Sequence, residues 1–274
     1  MEAVRQFSVF CAEIGIVDLA QVEPLHVAAF VELQLKTQSK PTVKVRLAAL
    51  RMLFDWMVVG QVIPMNPTHA VRGPRHTQRR GKTPVLQANE ARTLIDSIDI
   101  GSLPGLRDRA LIALMVYTFA RVGAAISMRI EDFYVQGRRG WVRLHEKGGK
   151  EHAMPTHHNL DRCLEEYIAA AGIAEDRKEP LFRTTRGRSG ELTGNSLLQS
   201  DVWRMIRRRA FAAGIKTEIG CHTFRATGIT AYLKNGGKLE IAQRMAAHES
   251  SRTTGLYDRR DDEISLDEVE RIGI

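Results

Sequence analysis

Apolar residues in the first seventy positions recur with a helical period. Val4, Phe7, Phe10 and Cys11 share one face. Pro24, a residue suited to a first helical turn, opens a segment to Lys36 with Val27, Phe30, Val31 and Leu35 as its stripe. The clearest run, 42–60, turns Val43, Val45, Leu47, Leu50, Leu53, Phe54 and Met57 toward a core and leaves Lys44, Arg46 and Arg51 outside. The period then stops. Residues 71–84 hold Arg72, Arg75, Arg79, Arg80 and Lys82, no acid, two prolines and two glycines, the composition of a linker.

A second periodic region follows. It predicts helices over 85–99 and 104–118, the latter buried through Leu106, Ala110, Leu111, Leu114 and Met115, then a break at 119–123 and a short helix over 124–128. Three short segments, 133–136, 141–144 and 151–154, read as a small antiparallel sheet turned at 137–140 and 147–150. Helices are expected over 160–171, 196–213, 223–235 and 238–247, with a polar surface loop over 180–193 and a turn at 253–257. Ser265 to Glu268 form a capping box, so a last short helix presents Leu266, Val269 and Ile272, either folding back or docking on a neighbouring protomer. The pattern is mainly α with a small antiparallel sheet. It divides into a helical domain 1–71, a basic linker 72–84, a larger domain 85–263 and a terminal helix 264–274.

Charge sharpens this picture. Forty basic against 32 acidic side chains give a formal net charge of +8, which favours an anionic partner and says nothing of fold. DNA, a ribosome or a membrane surface all suit it. Three scattered cysteines, Cys11, Cys163 and Cys221, indicate neither a disulfide framework nor a zinc knuckle. His152, His157 and His158 lack cysteine or acidic partners at metal-ligand spacing, so no metal is expected. The apolar run 110–120 is too short to span a bilayer, and no secretory signal is evident, so the chain reads as cytoplasmic. Lys147 and Lys150 flank two glycines without a Walker pattern.

The richest chemistry lies in 221–258. His222 and Arg225 are three residues apart, on one helical face; His248 ends the next helix, and Tyr257 follows nine residues later. An arginine fork matches phosphate oxygens and a phenol is a covalent nucleophile, which together point to phosphodiester chemistry. Packed histidines and a surface arginine would give the same spacing, which alone leaves both readings open.

The set nevertheless resembles the C-terminal signature of the tyrosine recombinases, the phage integrase and Xer-like family. That signature is a His-x-x-Arg pair, a later histidine in a Gly-His-Ser context, and a tyrosine nine residues beyond. The segment 117–121 resembles the family's Thr-Gly-Leu-Arg, which makes Arg121 its first arginine. The 146–155 hairpin resembles Gly-Lys-Gly-x-Lys before a proline, which makes Lys147 the general acid and Lys150 a phosphate contact. The family's acidic residue three positions after the first arginine is Ala124 here, so another acid fills that role or the rate suffers.

The resemblance implies an N-terminal SAM-like core-binding domain, a catalytic domain acting through a 3'-phosphotyrosyl link, and no cofactor. The implied catalytic set is Arg121, Lys147, His222, Arg225, His248 and Tyr257. Expected DNA contacts are Lys44, Arg46, Arg72, Arg75, Arg79, Arg80, Lys82, Lys150, Arg207 and Arg208, with Arg204 and Arg209 on the same basic helix. Its partners would be double-stranded DNA and further copies of the chain, a dimer per site and a tetrameric synapse, with an accessory DNA-bending protein, at the nucleoid. Resemblance favours passing Leu266, Val269 and Ile272 to the next protomer. A type IB topoisomerase, a non-catalytic DNA-binding regulator and an RNA-binding or ribosome-associated protein are the rivals.

Overall fold

The computed structural model describes residues 1–76, 81–146, 148–187 and 189–258. Arg79, Arg80, Lys147, Leu266, Val269 and Ile272 therefore lie outside the described residues. The chain divides into two compact units, Met1–Gln78 and Arg79–Ile274.

The smaller unit is three helices, α1 (Glu2–Glu13), α2 (Pro24–Thr37) and α3 (Lys40–Val59). Ser39 caps α3 by accepting from the Thr42 amide, and a proline in the first turn of α2 and of α3 leaves no amide stranded. Phe7 meets Phe30 and Phe54 edge-on, at 5.1 and 6.0 Å between ring centres, and these rings form the middle of the core. The buried face of α3 is Val43, Leu47, Leu50, Phe54 and Met57. Val45, expected inside, is 70% exposed, because a residue two positions from Val43 lies across the helix from it. Leu35 is likewise exposed, since the buried stripe of α2 ends at Val31. Arg51, expected outside, turns partly inward to donate to the Val71 carbonyl at 2.8 Å.

The larger unit is built around α5 (Leu103–Tyr117), which buries ten of its residues. Around α5 are α4 (Ala88–Asp96), α6 (Val122–Ile126), α7 (His158–Ala171), α8 (Gln199–Ala212) and α9 (Cys221–Lys234), followed by α10 (Leu239–Met245) and α11 (Ser251–Gly255). Gly228 lets α9 approach α5: a Cβ there would lie 2.2 Å from the Val116 carbonyl oxygen. Strands β1 (Phe133–Gln136), β2 (Arg139–Glu146) and β3 (Lys150–Pro155) form one antiparallel sheet in that order, with Phe133 opposite Val142 and Glu146 opposite Lys150. The first hairpin turns at Gly137 and Arg138 alone, Gly137 taking φ +66°, so β2 begins two residues earlier than its alternation predicts.

The segment 180–193 is not a plain surface loop. It contains β4 (Arg183–Thr185), which pairs with β5 (Leu192–Ser196), and it is anchored by the fully buried Leu181 and Phe182. Arg183, expected at the surface, is buried and donates to Asp176 at 2.8 Å and to the Pro180 carbonyl at 3.0 Å. Arg209 on α8 is also structural and not free for a ligand. It shares the fully buried carboxylate of Asp108 with Arg107, since a charge so deep requires partners. Among the described residues no helix is long and apolar enough to cross a membrane, and no cluster of His, Cys, Asp or Glu is arranged to hold a metal.

Candidate functional site

Gly220 caps the start of α9, its amide donating to the Thr223 hydroxyl at 3.1 Å, and this start places His222 in the first turn and Arg225 one turn on. Arg225 is 1% exposed. Its guanidinium donates to the carbonyls of Phe119 and Ala246, one from the break between α5 and α6 and one from the end of α10. Phe119 has φ +58°, and Ala247, the residue after Ala246, has φ +46°. Both belong to the left-handed region that side chains disfavour, and both stand beside carbonyls that receive Arg225. Burial, then the nearby Arg121 charge, lowers Arg225 to about 10, which leaves it cationic at neutral pH.

His248 follows the left-handed turn and is buried, its Nδ1 sharing a hydrogen bond of 2.9 Å with the Thr254 hydroxyl. Its ring stacks on that of Tyr257 with centres 5.7 Å apart. Desolvation, followed by the charges of Arg225 and Arg121, lowers His248 to about 3, so it is neutral. Tyr257 is 8% exposed and its hydroxyl lies 2.5 Å from His222 Nε2. Two hydrogen bonds fix the backbone there: Thr230 Oγ1 donates to the Tyr257 carbonyl at 2.8 Å and the Gly81 amide to the Leu256 carbonyl at 2.9 Å. His222 is exposed as a residue, but crowding by protein atoms and the charges of Arg225 and Arg121 still lower its pKa. A neutral imidazole so placed can accept the phenol proton through Nε2.

Arg121 caps the N-terminus of α6, and its half-exposed guanidinium meets the Glu146 carboxylate at 2.7 Å. Glu146, the last residue of β2, was not singled out from the sequence. The only signal was its place beside Lys147 in the hairpin. His152 of β3, weighed only as a metal ligand, belongs to this neighbourhood as well. Burial lowers its pKa while Glu146 raises it, and its ring lies against the Met245 backbone without reaching hydrogen-bond geometry.

The expected DNA contacts lie on several elements. Lys44 is exposed on α3, whereas Arg46 is half-buried and donates to Gln34. Arg72, Arg75 and Lys82 are exposed. Lys150 pairs with Glu249, the residue after His248, at 2.6 Å, which brings the start of β3 to the site. On α8, Arg207 reaches Glu218 at 3.2 Å and lies over the Trp203 ring, and the exposed Arg208 is 3.9 Å from Asp108.

A phenol held on a neutral imidazole, close to a buried guanidinium with a second one nearby, is the equipment for nucleophilic attack on an anionic ester. The chain belongs to the phage integrase family, the tyrosine recombinases: the family model matches residues 84–263. It is 27% identical over 248 residues to tyrosine recombinase XerC of Thermodesulfovibrio yellowstonii, covering 88% of this chain and 79% of that one. Among solved structures it resembles the XerH site-specific recombinase bound to a palindromic difH substrate after cleavage, with TM-score 0.76, 20% identity and coverage of 98% and 76%. It also resembles residues 75–356 of lambda integrase as a dimer on a COC' core site, with TM-score 0.69, 20% identity and coverage of 97% and 88%.

Proposed function

We propose that the protein is a site-specific DNA recombinase that cuts and rejoins duplex DNA through a 3'-phosphotyrosyl intermediate. The observation that carries this reading is the 2.5 Å contact between the Tyr257 hydroxyl and His222, beside the buried Arg225. The Tyr257 oxygen attacks a DNA phosphorus as its proton passes to His222. The bond from tyrosine oxygen to phosphorus forms and the bond to the 5'-oxygen breaks. Lys147 gives that oxygen its proton, leaving a free 5'-hydroxyl. Arg121 and Arg225 hold the non-bridging oxygens as charge grows in the transition state, and His248 hydrogen-bonds the phosphate. The covalent link retains the phosphodiester energy, so rejoining is the same step reversed, with a 5'-hydroxyl from either strand.

In this reading the smaller unit is the SAM-like core-binding domain, which grips the duplex, and the basic stretch 72–84 follows the backbone. The protein acts as a dimer on each site and as a tetramer in synapsis, exchanging the terminal helix with Leu266, Val269 and Ile272 between protomers. It serves a mobile element or the resolution of replicon dimers in the cytoplasm. The XerH and lambda integrase complexes with DNA support the choice of substrate.

The test incubates the protein with randomised duplexes, isolates covalent adducts under denaturing conditions and sequences the DNA. Adducts that fall on one sequence and vanish in Tyr257→Phe, with binding and melting temperature retained, are the expected result. Adducts that survive Tyr257→Phe would sink the assignment. Relaxation of supercoils without exchange between two duplexes would indicate a topoisomerase instead.

A further inference from the structure

The residue three positions after Arg121 is Ala124, a 5%-exposed methyl group that can neither orient a guanidinium nor balance its charge. The structure supplies a carboxylate from elsewhere. Glu146 ends β2 with its side chain only 3% exposed, and one of its oxygens meets Arg121 Nη1 at 2.7 Å. The other oxygen is buried and has no hydrogen-bond partner among the described residues. A carboxylate is costly to bury unless it is paired, so its place beside Arg121 is a specific arrangement. The same charge also acts on Arg225, where it opposes the effect of Arg121. Without a phosphate present, Arg121 and Arg225 repel one another, and Glu146 is the anion that offsets this repulsion.

We propose that Glu146 is a positioning residue for the phosphate clamp, fixing Arg121 in the role for which Ala124 has no side chain. This rests on the recombinase reading above. Among the described residues Glu146 touches no reacting atom, and it acts through the guanidinium. Its place at the end of β2 ties Arg121 to the three-stranded sheet. A misplaced clamp of this kind costs on the order of 100-fold in rate.

The test uses the full-length protein, its Glu146→Gln variant of equal shape, and Glu146→Gln combined with Ala124→Glu. Single-turnover adduct formation is measured at saturating concentration of a duplex recovered by the randomised selection. The same duplex is also prepared with sulfur in place of the leaving 5'-oxygen. Glu146→Gln is expected to slow cleavage about 100-fold with Kd and melting temperature little changed, and Ala124→Glu is expected to restore part of the rate. The sulfur leaving group needs no proton, so it would bypass a defect in Lys147 but not one in Arg121. A defect that persists on that substrate therefore supports the proposal. Full recovery there would assign Glu146 to Lys147 and overturn it, as would an unchanged or faster rate on ordinary DNA.

A second arm does not depend on cleavage. In nitrogen-15 spectra of the guanidinium groups, Arg121 is expected to rotate slowly about its Cζ–Nε bond in the parent protein and freely in Glu146→Gln. Free rotation in both proteins would refute the positioning role even where adducts form. Slow rotation without adducts in the parent protein would count against the recombinase reading and leave the role of Glu146 intact.

Discussion

Neutrality of the site imidazoles has a cost that appears in acid. His248 is lowered from an ordinary 6.5 to about 3, so below neutrality the unfolded chain takes up a proton that the folded chain refuses. The resulting stabilisation is fully present above about pH 6.5 and is lost as pH falls toward 3, with a slope of at most about 1.4 kcal/mol per pH unit for one group. His222 is shifted in the same direction and adds to the trend. Denaturant midpoints between pH 7.5 and 5 are expected to fall less steeply in His248→Gln than in the parent, although the variant starts lower. Parallel curves would remove His248 from this account. These histidines, with Arg225 and Tyr257, were legible in the sequence because they lie within 36 residues, on α9 and just after α10 and α11, where spacing nearly fixes geometry. Glu146 was not, because it meets Arg121 across the packing of β2 on α6, a tertiary contact between residues 25 apart.

Among the elements, the end of α10 makes a sharper statement. Ala246 closes the helix and Ala247 turns left-handed at φ +46°, a place where glycine is the usual choice. Ala247→Gly relieves the Cβ clash and is expected to stabilise the protein by about 0.5–1 kcal/mol, measurable as a raised denaturant midpoint with an unchanged slope. An equal or lower midpoint would show that the strain is already relaxed. Phe119 is strained in the same way, but its ring is buried with Ile229 and Leu233, so a glycine there would sacrifice that packing and is expected to destabilise. Helices α3, α5 and α9 were legible because ten or more residues of period fix a helix. The pair β4 and β5 was not, because strands of three and five residues hold too little alternation to separate them from a polar loop. Val45 shows the remaining limit: apolar character was read as burial, when only its position on the helix decides.

For the molecule as a whole, the excess of positive charge sets how DNA binding responds to salt. Arg72 and Arg75, near the end of the smaller unit, and Lys82, near the start of the larger, are exposed. Changing all three to Gln is expected to weaken binding to cognate and unrelated duplexes alike, and to flatten the plot of log K against log salt by roughly 0.9 for each phosphate no longer neutralised. An unchanged slope would place these residues in solvent. The hydrogen bond from Gly81 to the Leu256 carbonyl has a different kind of consequence. It joins the first described residue of the larger unit to the residue before Tyr257, so the described part of that unit, considered as a polymer, is a nearly closed ring. Closing a ring of that length costs chain entropy, and the cost is met by packing as well as by hydrogen bonds, since the Tyr257 ring lies in a small core with Phe119, Ile229 and Leu233. The tyrosine rides on that seam, and freeing it from the body would break this packing as well as the hydrogen bonds.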